Sequence, residues 1–226
     1  MKHIESSAAC RIDDIGIVDY LLAYERQKDA VQSVIAGGTN TLIICEHPPV
    51  FTLGRLATEE NILLSKDAIE KKGIRILRID RGGEVTFHGP GQIVAYPIFQ
   101  LNHFGKDLRL YMAKLEQVTI DLLQHFGIVA NRIEGQRGIW AGKKKIASIG
   151  IGVRKWVSFH GMAVNVNTDL NFFSMIKPCG LNVEMTSMAE LLGSGMDLSD
   201  VKRKMIHCFG KNFDLEFIKG DIYGNG

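Results

Sequence analysis

Apolar residues recurring at three- and four-residue steps mark two long helices in this chain. Leu108, Tyr111, Met112, Leu115, Val118, Leu122 and Phe126 form one stripe over Asp107 to Phe126, and Gly127 ends it. A second helix is predicted over Asp19 to Ala36, stopped by Gly37 and Gly38. Ser65 can cap a short helix running to Lys72 before Gly73, Ser187 and Glu190 have the spacing of a capping box, and Asp200 to Phe209 reads as a last helix. Period-two or continuous apolar runs predict strands: TLIIC at 41–45, IRILRI at 74–79, GQIVAYPIFQL at 91–101, IVANR at 128–132, KIASIGIGVR at 145–154, FHGMAVNVN at 159–167 and FDLEFI at 213–218. EHPPVFTLGR turns and then extends, and WAGKKK at 140–145 reads as a turn. Helices and strands are mixed without strict βαβ alternation, which predicts an α+β fold of mixed sheets with flanking helices.

Composition narrows the class. Apolar residues at 46% and charged residues at 23% are those of an ordinary globular chain, and neither repeat nor linker divides residues 1–226, so one domain is expected. The 27 basic and 25 acidic side chains nearly cancel, which argues against a nucleic-acid binder. The start, MKHIESSAACRIDD, carries acidic residues and no apolar run of signal-peptide length, and no stretch approaches the ~18 apolar residues of a membrane span. A cytoplasmic protein without membrane or nucleic-acid partners is the expectation.

The four cysteines, Cys10, Cys45, Cys179 and Cys208, lie far apart, so neither a zinc site nor a redox pair is expected. Cys45 closes an apolar run and Cys208 sits in an amphipathic one, as small core residues do. Cys179 differs. In K-P-C-G a proline fixes the chain before it and a glycine leaves the following amide approachable, a context that suits either a displayed thiol or an incidental turn. RGGEVTFHGPGQ at 81–92 reads as a glycine-rich loop between strands, with Thr86 and His88 able to hydrogen-bond a ligand. It is no phosphate loop, because the terminal G-K-[ST] is missing. Lys145 ends a lysine triplet and begins an apolar strand. A lysine there could project into a cleft and favour the thiolate of a nearby cysteine, whereas Lys143 and Lys144 read as solvated. His160 is a candidate base or a structural histidine.

Five blocks in this order, EHPPVFTLGR (46–55), RGGEVTFHGPGQ (81–92), GKKKIASIG (142–150), SFHGMAVNVNTDL (158–170) and NFFSMIKPCG (171–180), resemble the octanoyltransferases of lipoate biosynthesis. The resemblance implies the biotin/lipoate protein ligase-like fold. It also implies transfer of an octanoyl group from octanoyl-acyl carrier protein, through a thioester on Cys179, to a lysine amine of apo lipoyl domains. These acceptors would be the lipoyl domains of 2-oxoacid dehydrogenases and the glycine cleavage H protein. Lys145 falls on the family's catalytic lysine. The substrate-contacting positions fall on Arg81, Gly82, Gly83, Glu84, Val85, Thr86, Phe87 and His88, on Ser148, Ile149 and Gly150, and on Gly161, Met162 and Ala163. No cofactor or metal is implied. The alternative reading is an ATP-dependent lipoate or biotin-type protein ligase, which shares the fold and activates a free acid.

Overall fold

The computed structural model describes residues 8–177 and 183–218. Two sheets organise it. The larger has eight strands in the order β11-β1-β2-β6-β10-β9-β8-β7, with β1 at Ala8–Ile17, β2 at Asn40–Glu46, β6 at Gln92–Ile98, β7 at Asn131–Ile133, β8 at Gln136–Ala141, β9 at Lys144–Arg154, β10 at Val157–Asn165 and β11 at Leu215–Ile218. β1 runs parallel to both β2 and β11, and the other pairs are antiparallel. The smaller sheet has the order β4-β3-β5, from Arg75–Arg78, Val50–Leu53 and Val85–His88. The fold is therefore α+β with mixed sheets, as expected.

Helices cover both faces of the large sheet, which is why β2, β6 and β10 are buried along their whole length. On one face α3 (Leu108–His125) and α5 (Leu198–Phe213) pack Tyr111, Leu115, Val118, Met205 and Phe209 against Leu42, Ile93 and Ile146. Asp107 caps α3 through the Arg109 and Leu110 amides, and of the predicted stripe Tyr111, Leu115, Val118 and Leu122 are buried, Met112 and Phe126 half-buried and Leu108 exposed. On the other face α1 (Tyr20–Ile35) places Ala23, Val31 and Val34 on Ile43, Val94 and Ala163. The Asp19 carboxylate caps it, and a Cβ at Gly38 would fall 2.6 Å from Ser33 Oγ, so the tight turn after the helix requires a glycine there. A third core joins the small sheet to α2 (Lys66–Glu70) and to the 3₁₀ segment Leu170–Met175.

Four local readings change. Residues 8–17 form a strand that charge had concealed, with Cys10 fully buried in it. Val85–His88, read as loop, is a strand because β3 supplies a complete antiparallel partner. WAGKKK is a turn only at its centre, since Trp140 and Ala141 pair with Lys145 and Lys144. Ser187 Oγ does cap α4 (Met188–Leu192) through the Glu190 amide, but the Glu190 carboxylate bonds Thr186 and Lys144 instead of closing a capping box.

Candidate active site

The floor of the site is the β9–β10 pair. Its register sets Ser148 opposite Ala163, Ile149 opposite Met162 and Gly150 opposite Gly161, so the two tripeptides implied by the resemblance are cross-strand partners. The 81–84 segment lies across them. Gly82 N–H donates to Ile151 O at 2.9 Å, and this approach requires a glycine at 150, where a Cβ would stand 2.7 Å from Gly82 O. Its other edge is held by Gly54 N–H to Glu84 O at 3.0 Å, Arg55 N–H to Arg81 O at 3.0 Å and Leu56 N–H to Gly83 O at 3.1 Å. Arg81 is buried, with Nη2 donating to Thr52 O at 2.7 Å and Nε to Thr52 Oγ1 at 3.2 Å. The segment is thus tied to both sheets.

β5 then divides by strand alternation. Thr86 and His88 line the cleft, whereas Phe87 turns away and stacks on Phe172 at 4.5 Å between ring centroids. His88 Nδ1 lies 2.8 Å from Gln92 Oε1. The Gln92 amide nitrogen donates to Phe87 O at 3.1 Å and Asn165 Oδ1 at 2.9 Å, so its oxygen must accept and His88 Nδ1 must carry the proton. Nε2 is left as an acceptor. Burial, with the nearby His47 and Arg81, holds this ring neutral, well below the usual histidine range. The network continues from Asn165 Nδ2 to Thr186 O at 3.0 Å.

Lys145 sits where that network ends. Its carbonyl accepts from Thr186 N–H at 2.9 Å and its N–H donates to Glu184 O at 2.8 Å. Alternation along β9 sends Lys144 outward to Glu184 and Glu190, at 2.7 and 3.1 Å, and Lys145 inward, where it is only 6% exposed and lines the cleft. Its Nζ stands 6.0 Å from the centroid of the Trp140 ring. Cys179 lies outside the described residues. The chain before it is anchored by Lys177 N–H to Asn61 O at 2.7 Å, and the chain after it by the Lys145 bonds just given. The other three cysteines are buried in the core, and burial raises their thiols, to about 12 at Cys10, to about 11 at Cys208 and higher still at Cys45.

These walls line one narrow cleft, about 700 Å³ with the solvent-open space at its mouth included. Lys145 and every residue named for substrate contact except Phe87 line it. Sequence reasoning missed Tyr20, Val94, Tyr96, Arg137, Phe173 and Met185. A signal existed for Val94 and Tyr96, which lie two apart on a strand and so share a face. Tyr20 came from a distant helix, and the sequence carried no hint of it. Tyr96 donates to His47 Nε2 at 2.8 Å, while His47 Nδ1 donates to Val18 O at 2.8 Å, so His47 is a neutral acceptor, its pKa pushed down to about 4 by burial. His160 also lines the cleft. Its Nε2 donates to Asp80 Oδ1 at 2.9 Å and its ring stacks on Tyr24, and the hydrogen bond from His160 is the chief cause that holds Asp80 down at about 2. Among the described residues no group of His, Cys, Asp or Glu could hold a metal ion, and no helix is long and apolar enough to cross a membrane.

Residues 19–210 match the family model of the lipoyl protein ligase A/B catalytic domain. The octanoyltransferase of Thermoanaerobacter sp. (strain X514) is 43% identical over 205 residues, 90% of either chain. Among solved structures, the bipartite lipoate protein ligase of Thermoplasma acidophilum superposes with a TM-score of 0.72 at 16% identity, over 95% of this chain and 87% of that one. Biotin protein ligase from Aquifex aeolicus, in complex with biotin and ATP, superposes with a TM-score of 0.55 at 13% identity, over 91% of this chain and 70% of that one. At such identities the two structures show the fold. The family follows from the first two matches: this chain belongs to the lipoyl protein ligase A/B catalytic-domain family, among its octanoyltransferases.

Proposed function

We propose that this octanoyltransferase works through a thioester on Cys179, taking the octanoyl group from octanoyl-acyl carrier protein and passing it to the lysine amine of an apo lipoyl domain. The carrying observation is the double backbone clamp between Lys145 and residues 184–186, which ties the chain downstream of Cys179 to the buried lysine. The three core cysteines support the choice, since buried thiols with raised pKa make poor nucleophiles. Exchange of the acyl group from one thiol to another is close to neutral in energy, and conversion of thioester to amide is downhill, so neither step needs a nucleotide. Protonated Lys145 would favour the Cys179 thiolate. Neutral Lys145 would take the proton from the attacking amine.

The apolar floor and the 81–88 wall would hold the octanoyl chain. The acceptors are the lipoyl domains of 2-oxoacid dehydrogenases and the glycine cleavage H protein, and the compartment is the cytoplasm. Incubation with octanoyl-carrier protein, without ATP or magnesium, should add one octanoyl group to the intact protein, and peptide mapping should place it on Cys179. An apo lipoyl domain should then remove it and gain the same mass. Octanoylation from free octanoate that depends on ATP, with the carrier-bound donor inert, would establish the ligase reading instead.

A further inference from the structure

One residue at the edge of the cleft holds a backbone conformation that ordinary side chains avoid. His160 sits in β10 at φ 54°, immediately before Gly161, where the floor begins. Strain of this kind persists only where the surroundings fix it, and it gathers at functional sites. Three contacts fix it here: His160 N–H donates to Gln27 Oε1 at 2.8 Å, Nε2 donates to Asp80 Oδ1 at 2.9 Å, and the ring stacks on Tyr24 with centroids 5.4 Å apart. Tyr24 Oη donates to the same Asp80 oxygen at 2.8 Å. The places of these partners along the chain matter more than their chemistry. Asp80 precedes Arg81, where the 81–88 wall begins, as His160 precedes the 161–163 floor. One side-chain hydrogen bond thus joins the heads of wall and floor, and α1 braces it through Tyr24 and Gln27. Ile151, whose carbonyl accepts from Gly82 N–H, is the cross-strand partner of His160, so the wall is fastened to both strands at one level. Asp80 itself stands outside the cleft, in a small pocket with Tyr24, Lys28, Arg154 and Phe159.

We propose that Asp80 and His160 are positioning residues, whose hydrogen bond sets the height of the 81–88 wall above the 161–163 floor and so the width of the channel open to an acyl chain. The inference rests on the reading that wall and floor hold the octanoyl chain. Asp80 meets no substrate and acts through His160. Loss of its carboxylate leaves a buried N–H without its acceptor and frees the ring that holds the strained residue in place. The wall then lifts. A straight chain loses contact along its length, and a branched one gains the room that the closed channel denies it.

The test follows acylation of an apo lipoyl domain by intact mass, with the full-length enzyme and two donors, octanoyl-acyl carrier protein and its methyl-branched octanoyl counterpart. Both are measured on one enzyme preparation, so any loss of folded protein cancels from their ratio. Wild type should favour the straight chain. Asp80→Ala should raise KM for it about tenfold, with kcat changed less than about threefold, and should lower the straight-over-branched ratio of kcat/KM about tenfold. Asp80→Asn keeps an oxygen for the His160 N–H and should recover most of that ratio. His160→Gly removes the ring and the backbone strain together, and in that background Asp80→Ala should change the ratio less than about twofold, because its partner is already gone. An unchanged ratio in Asp80→Ala, a ratio as low in Asp80→Asn as in Asp80→Ala, or a further tenfold fall in the double variant would overturn the proposal. A wild type that does not distinguish the two donors would instead sink the reading that wall and floor hold the chain, and this inference with it.

Discussion

Gly138→Ala should disable the site through Lys145 while leaving the fold in place. Gly138 lies in β8 at φ 98°, and a Cβ there would stand 2.3 Å from Ala147 O, 2.5 Å from Lys145 Cε and 3.2 Å from Lys145 Nζ. The carbonyl belongs to the sheet ladder and cannot yield freely, so the lysine must move. A non-glycine residue in this conformation costs about 1–3 kcal/mol, and in a chain of this length each kcal/mol lowers Tm by roughly 2–4 °C. A fall of about 2–12 °C is expected by circular dichroism. The loss of transfer should be far larger than that fall implies, because displacing a reacting group by 1 Å costs about a hundredfold. Gly135→Ala is the control. It sits in the same hairpin at φ 76°, with nothing within 4 Å of its would-be Cβ, so it carries the backbone penalty without touching the lysine. The reasoning fails if the two variants lose the same activity, or if Gly138→Ala melts with the wild type.

The native protein should alkylate at one cysteine with iodoacetamide and at all four after denaturation, since Cys10, Cys45 and Cys208 are buried; a second fast-reacting native thiol would contradict the core assignment. Lys145→Ala should move the alkylation profile of Cys179 to higher pH and slow octanoyl transfer by about 10²–10⁴-fold, the range of a lost general base, and Lys145→Arg should restore the alkylation profile but not transfer; identical profiles in all three proteins would remove the lysine from the chemistry. Acid should weaken the fold between pH 6.5 and 4. His47 ordinarily titrates at 6.5 and in the fold at about 4, so over that window the unfolded chain takes up a proton that the folded one does not. Stability is therefore complete above pH 6.5 and falls by about 3 kcal/mol on the way down, and His88 acts in the same direction. Urea titrations of wild type and His47→Gln at several pH values check this, with an unchanged pH slope as the refuting outcome.

The long helices were legible because each carries a repeating apolar stripe and an acidic cap, Asp19 for α1 and Asp107 for α3. The central strands were legible from their continuous apolar runs. β1 was not, since Arg11, Asp13 and Asp14 fall on a strand whose faces are only partly covered, and a parallel partner at Leu215 lies some two hundred residues away by chain count. The site was legible as separate blocks, and the register of β9 against β10 is what sets 148–150 beside 161–163. Phe87 shows the limit of reading a block as a unit: within one tetrapeptide strand, alternation gives His88 to the cleft and Phe87 to the small core. Tyr20 and Arg137 entered the cleft from a helix start and a hairpin, places that no local pattern connects to it.

The two-sheet design explains why the lysine can be both buried and useful. Lys145 begins a strand of the large sheet, yet its backbone is bonded to residues 184–186, and Met185 packs in the core under the small sheet. The 81–84 segment makes the same crossing in the opposite sense, hydrogen-bonded to β9 on one side and to residues 54–56 on the other. A shift of one sheet against the other would therefore change the distance between the lysine and the 81–88 wall while leaving each core intact. Such an arrangement holds reacting groups on rigid elements, and the hydrogen bonds of Gly82, Arg55, Leu56, Lys145 and Thr186 help to set the separation between them. Loss of any one should misplace the site more than it destabilises the fold, because none of these bonds belongs to either sheet's own ladder.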